Sequence, residues 1–128
     1  MEEDLRALLL ASSAVTALVG NRVTWLARPQ GSALPAIVLM RVGGAEGMTQ
    51  DGPDGLEVSR VQIDVYADSY SGSKITARAV VLALNGYGGG RMDLIEHESS
   101  HDLPEAGTNE TQTLFRVSAD FIINYWSN

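Results

Sequence analysis

The sequence predicts a single α+β domain, residues 1–128, with an antiparallel or mixed sheet of about four to five strands. Two helices are expected to pack on one face of that sheet, and a long loop is expected between two of the strands. Three observations lead to this fold class. They are a strictly alternating segment at 56–68, two stretches with helical apolar spacing, and a run rich in glycine at 43–55.

The segment 56–68 is the clearest periodic signal in the chain. Val61, Ile63 and Val65 alternate with polar or amphipathic side chains at positions 60, 62, 64 and 66. A period of two is typical of a strand that has one buried face and one wet or partner-facing face. We expect this strand to be central.

Composition limits the range of functions. The 128 residues have the size of one domain, and 45% of them are apolar, which predicts a globular chain. The formal net charge is −7, and the chain has no cysteine. Specific nucleic-acid binding is therefore not expected, and disulfides and cysteine-based zinc sites are excluded.

Two helices are predicted. The first carries an acidic first turn and apolar residues at helical spacing, and it ends at Gly20; its stripe is Leu5, Leu8, Ala11, Val15 and Leu18. This N-terminal segment has the wrong charges for a signal peptide and too many polar residues for a membrane span. The second helix is expected over about 74–85, capped by Ser71 or Ser73, with Ile75, Ala79 and Leu82 on its apolar face and Val81 beside them.

The remaining strands follow from shorter patterns. A short strand is expected around 22–26 and a second at 36–42, and a hairpin is expected from 92–100 and 111–125.

Trp25 and Trp126 lie near strand ends. They are expected to pack in the core, with a subunit interface as the second interpretation.

The run 43–55 contains six glycine or proline residues in thirteen positions and predicts a long loop. Two interpretations stay open: a solvated hairpin tip, or an arm that becomes ordered on a partner. On the second interpretation, we expect contacts to a partner from residues at the loop tip, namely Met48, Thr49, Gln50 and Asp51.

One short motif suggests catalysis. The segment 97–101, His-Glu-Ser-Ser-His, matches the H-E-x-x-H pattern of zinc peptidases, which needs both imidazoles one helical turn apart. Its flanks predict a strand instead. There, His97 and His101 are expected on one face, about 13 Å apart, too far to bind one ion. We therefore expect no metal, no cofactor and no catalytic residue. Other carboxylates, such as Asp64 and Asp68, are expected to be ordinary surface groups.

Several segments together resemble a known family. They occur in the order found in the tail terminator, or tail-completion, proteins of long-tailed bacteriophages and gene transfer agents, and together they span nearly the whole chain: 18–23, 29–31, 34–38, 60–67 and 115–121.

The resemblance implies a structural role without enzymatic activity. Members of that family form a six-fold ring at the head-proximal end of the tail tube, stop the addition of tube subunits and present a surface to the head connector. The implied partners are other copies of the chain, the major tail tube protein and the connector or stopper protein, with DNA passing through the ring without specific binding. The implied location is the head–tail interface of a virion assembled in the bacterial host cytoplasm. The alternatives are a small zinc metallopeptidase and another non-enzymatic virion assembly module.

Overall fold

The computed structural model describes residues 2–27, 33–42, 50–51, 56–90, 92–103 and 114–126. Within these ranges the chain forms three helices and six strands. In chain order the elements are α1 (Glu2–Ala11), α2 (Ser13–Val19), β1 (Val23–Trp25), β2 (Ala36–Val42), β3 (Gln50–Asp51), β4 (Leu56–Ala67), α3 (Tyr70–Leu84), β5 (Met92–Leu103) and β6 (Phe115–Trp126). None of the helices in the described ranges is long and apolar enough to cross a membrane.

The strands form one mixed sheet in the order β1-β2-β4-β6-β5, and β3 pairs with the beginning of β4. Only β1 and β2 are parallel, and the other pairings are antiparallel. The α+β class and the mixed sheet are confirmed, and the hairpin of the last two strands forms as predicted.

The central position predicted for 56–68 is correct. Strand β4 pairs with β6 over twelve residues and with β2 on its other side. Val61, Ile63 and Val65 are buried, whereas Arg60 and Gln62 are partly exposed. The alternation therefore decides which side of the sheet receives the helices.

The N-terminal segment contains two helices rather than the single predicted one. Ser12 ends the first helix and caps the second, because its Oγ accepts a hydrogen bond from the Val15 amide at 3.3 Å. The buried residues are Leu5, Leu9, Val15 and Val19. In a continuous helix each residue turns by about 100°, so the six-residue step from Leu9 to Val15 would point these two side chains in different directions. The break between the two helices lets both side chains reach the core.

The third helix begins earlier than predicted and turns a different face to the sheet. Its cap is Ser69, whose Oγ accepts from the Gly72 amide at 3.0 Å, not Ser71 or Ser73. The sheet-facing residues are mostly small: Ser73, Thr76, Ala77, Val80 and Leu84. The predicted apolar face is wrong, since Ile75 is 54% exposed and Leu82 is 77% exposed.

The predicted long loop is interrupted by a short strand. Val42 pairs with Arg60 and Gln50 pairs with Val58, so only Ser59 separates the two pairings on β4. On the opposite segment, seven residues (43–49) separate Val42 from Gln50. Gln50 and Asp51, which were expected in the loop, are therefore paired with β4.

A three-residue cluster fastens the start of α3 to the end of β5. Lys74 Nζ donates to Asp102 Oδ1 at 2.8 Å, and the Tyr70 hydroxyl donates to Asp102 Oδ2 at 2.8 Å. The hydrogen bonds from Lys74 and then Tyr70 lower the pKa of Asp102, with a smaller electrostatic contribution from His101. The hydrogen bond to Asp102 raises the pKa of Lys74. All of these groups are accessible to water, so solvent screens the attraction.

The helix cap provides the first test of this fold. We expect Ser69→Ala to lower the free energy of unfolding by about 1 kcal/mol, because the Gly72 amide loses its acceptor. Ser71→Ala is the matched control, since Ser71 is exposed in the same turn but does not cap, and it should change stability by less than about 0.5 kcal/mol. Urea unfolding measures both. Equal losses would contradict the assignment of the cap.

The Asp102 cluster predicts a defined pH dependence. The stabilisation from the lowered pKa of Asp102 is complete above its ordinary value of 3.8 and is lost as the pH falls through the folded-state value. The stabilisation from the raised pKa of Lys74 is complete below 10.5 and is lost as the pH rises through its folded-state value. Asp102→Asn should therefore be less stable than the wild type between these limits and equal to it at lower pH.

The measurement is urea unfolding at a series of pH values for Asp102→Asn, Lys74→Gln and the double variant. The double variant should lose less than the sum of the two single losses, because both single variants break the same ion pair. Additive losses, or a constant deficit of Asp102→Asn at every pH, would contradict the prediction.

Candidate assembly surfaces

The sheet has one side that no described helix covers, which we name the open face. On β4 it carries the even-numbered residues, whose partners on β6 are also even-numbered. Its central members are Arg60, Gln62, Asp64, Tyr66, Arg116, Ser118, Asp120, Ile122, Asn124 and Trp126. These side chains shield one another, and each of them is buried or only partly exposed. The face therefore has an ordered polar surface beside a few apolar side chains.

The centre of the open face is organised around Asp64, which is only 4% exposed. Gln62 Nε2 donates to both carboxylate oxygens, at 3.1 and 3.3 Å. Arg116 Nε lies 3.8 Å from Asp64 Oδ2, and its guanidinium carbon lies 5.7 Å from the centre of the Tyr66 ring. The buried carboxylate is thus solvated by neighbouring side chains, as a charge in this position requires. The expectation of an ordinary surface group is wrong for Asp64.

A second ion pair crosses the open face. Arg60 on β4 pairs with Glu98 on β5, across the intervening β6. Glu98 is the glutamate of the H-E-x-x-H pattern, and this pairing makes it part of the sheet surface.

The two histidines of that pattern lie on opposite faces of the sheet. His97 pairs with the buried Phe121, whereas His101 pairs with Ser118 on the open face, because the register shifts between His97 and Ser99. The expectation of a strand is correct, but the expectation that the histidines share a face is wrong. His97 Nε2 is 2.6 Å from Ser100 Oγ, and its ring centre is 5.2 Å from that of Phe121.

This arrangement does not fit the geometry of a zinc peptidase, which requires both imidazoles to point at one ion. Across the described ranges, no group of three His, Cys, Asp or Glu side chains is placed to hold a metal ion.

The open face carries more acidic than basic groups. Besides Asp64 and Glu98, its acidic members are Asp120, Glu96 and Asp93, which accepts from the Trp126 indole at 3.4 Å. The basic members are Arg60 and Arg116, and both are engaged with carboxylates. Glu96 is exposed and has no ionic or hydrogen-bonding partner among the described residues. The part of the face formed by β5 and β6 therefore presents free negative charge.

The opposite layer carries a contrasting surface, the α3 outer surface, formed by Ile75, Arg78 and Leu82. The spacing of three and four residues aligns these side chains along the side of the helix that faces away from the sheet. Arg78 is exposed and has no ionic partner in the described part of the chain. Helix α3 contains two basic residues, Lys74 and Arg78, and no acidic one.

The sequence singled out four contact residues, and the structure places only part of that set. Met48 and Thr49 lie outside the described residues, whereas Gln50 and Asp51 form β3 and pair with Val58 and Glu57. Gln50 and Asp51 are therefore in the sheet rather than at a loop tip. Their contact with a partner stays a prediction.

The α3 outer surface was not predicted, because the helical spacing of Ile75 and Leu82 was taken to indicate a core face. A usable signal was present. The stripe of small residues at positions 73, 76, 77 and 80 is also helical in spacing, and it leaves Ile75 and Leu82 on the other side.

Comparisons with known proteins agree with this fold. The family model described as Tail completion protein gp17 matches residues 3–125. A chain of the solved structure described as "Virion of native gene transfer agent (GTA) particle" is similar, with a TM-score of 0.69 and 21% identity, over 94% of this chain and 90% of that chain. At that identity the similarity is one of fold. No curated protein matches the sequence significantly.

The family match extends over almost the entire sequence, from α1 to the penultimate residue of β6. The resemblance to tail-completion proteins is therefore confirmed. The chain belongs to the family of tail completion protein gp17, and it is a structural protein of a virion tail.

Proposed function

We propose that the protein forms a ring at the head-proximal end of a phage-type tail tube. There it ends tube polymerisation and provides the docking surface for the head connector. The observation that carries this proposal is the family match over residues 3–125. The similar chain from a gene transfer agent particle supports the same setting, because its fold occurs in a virion.

A protein that ends a polymer needs one surface that accepts the last tube subunit and another that does not accept a further one. Closed rings built from identical subunits use two different patches of each subunit, so that the contacts repeat around an axis. The two layers of this fold supply chemically different patches, which supports a ring. The ring size of six follows from the family resemblance.

The charge of the chain suits a passage for DNA. A net charge of −7 and the absence of a basic stripe on the described surface leave little to hold phosphates. In the proposed ring, the acidic surface repels the DNA backbone, so DNA moves through without specific binding.

The proposed partners are other copies of the chain, the major tail tube protein and the connector or stopper protein. The segment 43–55 is the proposed arm toward an adjacent ring. Its contact residues are proposed to be Met48, Thr49, Gln50 and Asp51. The strand β3 joins this segment to the central strand, which gives the arm a fixed base.

The test is polymerisation of the major tail tube protein with and without this protein, followed by cryo-electron microscopy. We expect a single ring at one end of each tube, and no further growth from that end. The reconstruction also identifies the residues in contact with the tube.

Tubes that continue to grow from both ends in excess protein would contradict the proposal. Decoration along the tube wall, or continued stacking of the protein on itself, would instead favour a different non-enzymatic assembly role.

A further inference from the structure

We propose that neighbouring copies in the ring meet through two different faces: the α3 outer surface of one copy packs on the open face of the next, over β5 and β6. In this arrangement Arg78 of one copy pairs with Glu96 of the other. The inference rests on the proposed ring and specifies which surfaces build it.

The α3 outer surface is unusually apolar for a helix side that faces away from its own core. Ile75 and Leu82 are 54% and 77% exposed, and Tyr70 on the same helix is 53% exposed. Within the described residues, the only other large apolar side chains as exposed as a third are Leu26 and Tyr87. The exposed apolar area is therefore concentrated on α3, which is typical of a surface that is covered by a protein.

The charge of this surface indicates what covers it. Helix α3 has a positive charge with no acidic residue, in a chain whose net charge is −7. Lys74 is already paired with Asp102, so Arg78 is the group available to a partner. An acidic surface is required opposite it, and a second copy of this chain supplies one.

The open face over β5 and β6 has the complementary chemistry. Leu94, Ile122 and Trp126 are partly exposed there, and no described helix covers them. Glu96 pairs directly with Ile122 in the sheet, so a free carboxylate lies beside the apolar side chains. This combination matches Ile75, Arg78 and Leu82, with apolar area against apolar area and arginine against glutamate.

Like charge disfavours the simplest alternative. A two-fold dimer through α3 would bring the α3 outer surfaces together and place Arg78 close to Arg78, with no acidic residue of that helix between them. The proposed contact instead joins opposite layers of the two-layer fold. In such a head-to-tail contact, the copy at each end of a row keeps one of the two surfaces unused, so further copies can be added. The row closes into a ring when the rotation between neighbouring copies divides a full turn.

Charge reversal provides the first experiment. Arg78→Glu alone and Glu96→Arg alone place like charges across every contact, so each should fail to form rings in solution and on tube ends. A mixture of the two variants should restore rings in which they alternate, because every contact then pairs opposite charges. The double variant Arg78→Glu with Glu96→Arg should also form rings. Size-exclusion chromatography with light scattering and cryo-electron microscopy measure these outcomes.

Two matched controls separate the interface from general effects. Glu3→Arg makes the same charge change at an exposed position of α1, and Leu26→Ser removes an apolar side chain that is 72% exposed. Both should leave rings intact, whereas Leu82→Ser should abolish them. The substituted side chains are exposed, so thermal unfolding should show that every variant is folded.

Chemical cross-linking tests the proposed interface even if the copies associate only weakly. The chain has no native cysteine, so Arg78→Cys and Glu96→Cys supply the only thiols. With a short bismaleimide, neither single variant should give a covalent product by itself, and the mixture of the two should give a covalent dimer. The double variant should give a ladder of covalent products that ends at the closed ring. Dimers from Arg78→Cys alone would indicate a two-fold contact and overturn the proposal.

The outcomes distinguish this inference from the proposed function. If the wild type caps tubes as a single ring and Arg78→Glu caps them equally well, the interface is wrong and the terminator role stands. If the cross-linked ladder forms but the wild type does not cap tubes, the interface stands and the terminator role fails. If the bismaleimide gives no covalent product with the double cysteine variant, either in solution or on tube ends, the proposed interface is wrong.

Discussion

The twelve-residue pairing of β4 with β6 is the constraint on which the rest of this structure depends. The pairing joins Leu56 to Trp126 at one end and Ala67 to Phe115 at the other. Because facing residues in an antiparallel pair point to the same side, one register assigns every side chain of both strands to the helix layer or to the open face. A shift of β6 by one residue relative to β4 would move Phe121 to the open face and Arg116 to the helix layer.

Strand β5 shows how a small irregularity alters that assignment. From Leu94 to His97 its alternation matches that of β6, and the register shift before Ser99 then reverses it. Asp102 consequently points to the helix layer, where it binds Lys74 and Tyr70, while His101 moves to the open face. Without the irregularity, both histidines would point to the helix layer and α3 would lose its attachment to the end of the sheet. The bulge therefore holds α3 and also separates the two histidines of the peptidase-like pattern.

The predictable part of the structure is the part that depends on period alone. Alternation correctly predicts β4 and β6, and an apolar run delimits β2 to the residue. The errors arise where two signals compete. At Ser12 a capping residue competes with an apolar stripe that continues on either side, and the cap prevails because it brings both Leu9 and Val15 to the core. In α3 the large residues Ile75 and Leu82 compete with small ones. The small face is buried because it lets the helix approach the sheet closely.

The candidate surfaces were harder to predict than the fold, because they depend on which residues remain uncovered. The sequence does not specify that Arg78 lies between two exposed apolar side chains until the buried face of α3 is known. Nor does it specify that Glu96 remains free while Glu98 is engaged with Arg60, since that difference follows from the irregular register of β5. An error of one residue in assigning the side chains of a strand to the two faces of the sheet therefore also makes the predicted surface wrong.

The described helices leave one side of the six-stranded sheet uncovered. The described helices cover one face, and the other keeps partly exposed apolar groups beside a buried carboxylate that its neighbours must solvate. A neighbouring copy on that face would remove apolar area from water and bring Arg78 to the acidic side of the sheet. Any such contact stabilises the folded chain by mass action, because only the folded chain offers both surfaces. In the proposed ring, folding and assembly would therefore be linked, because the face that the described helices leave open would be covered by the next copy.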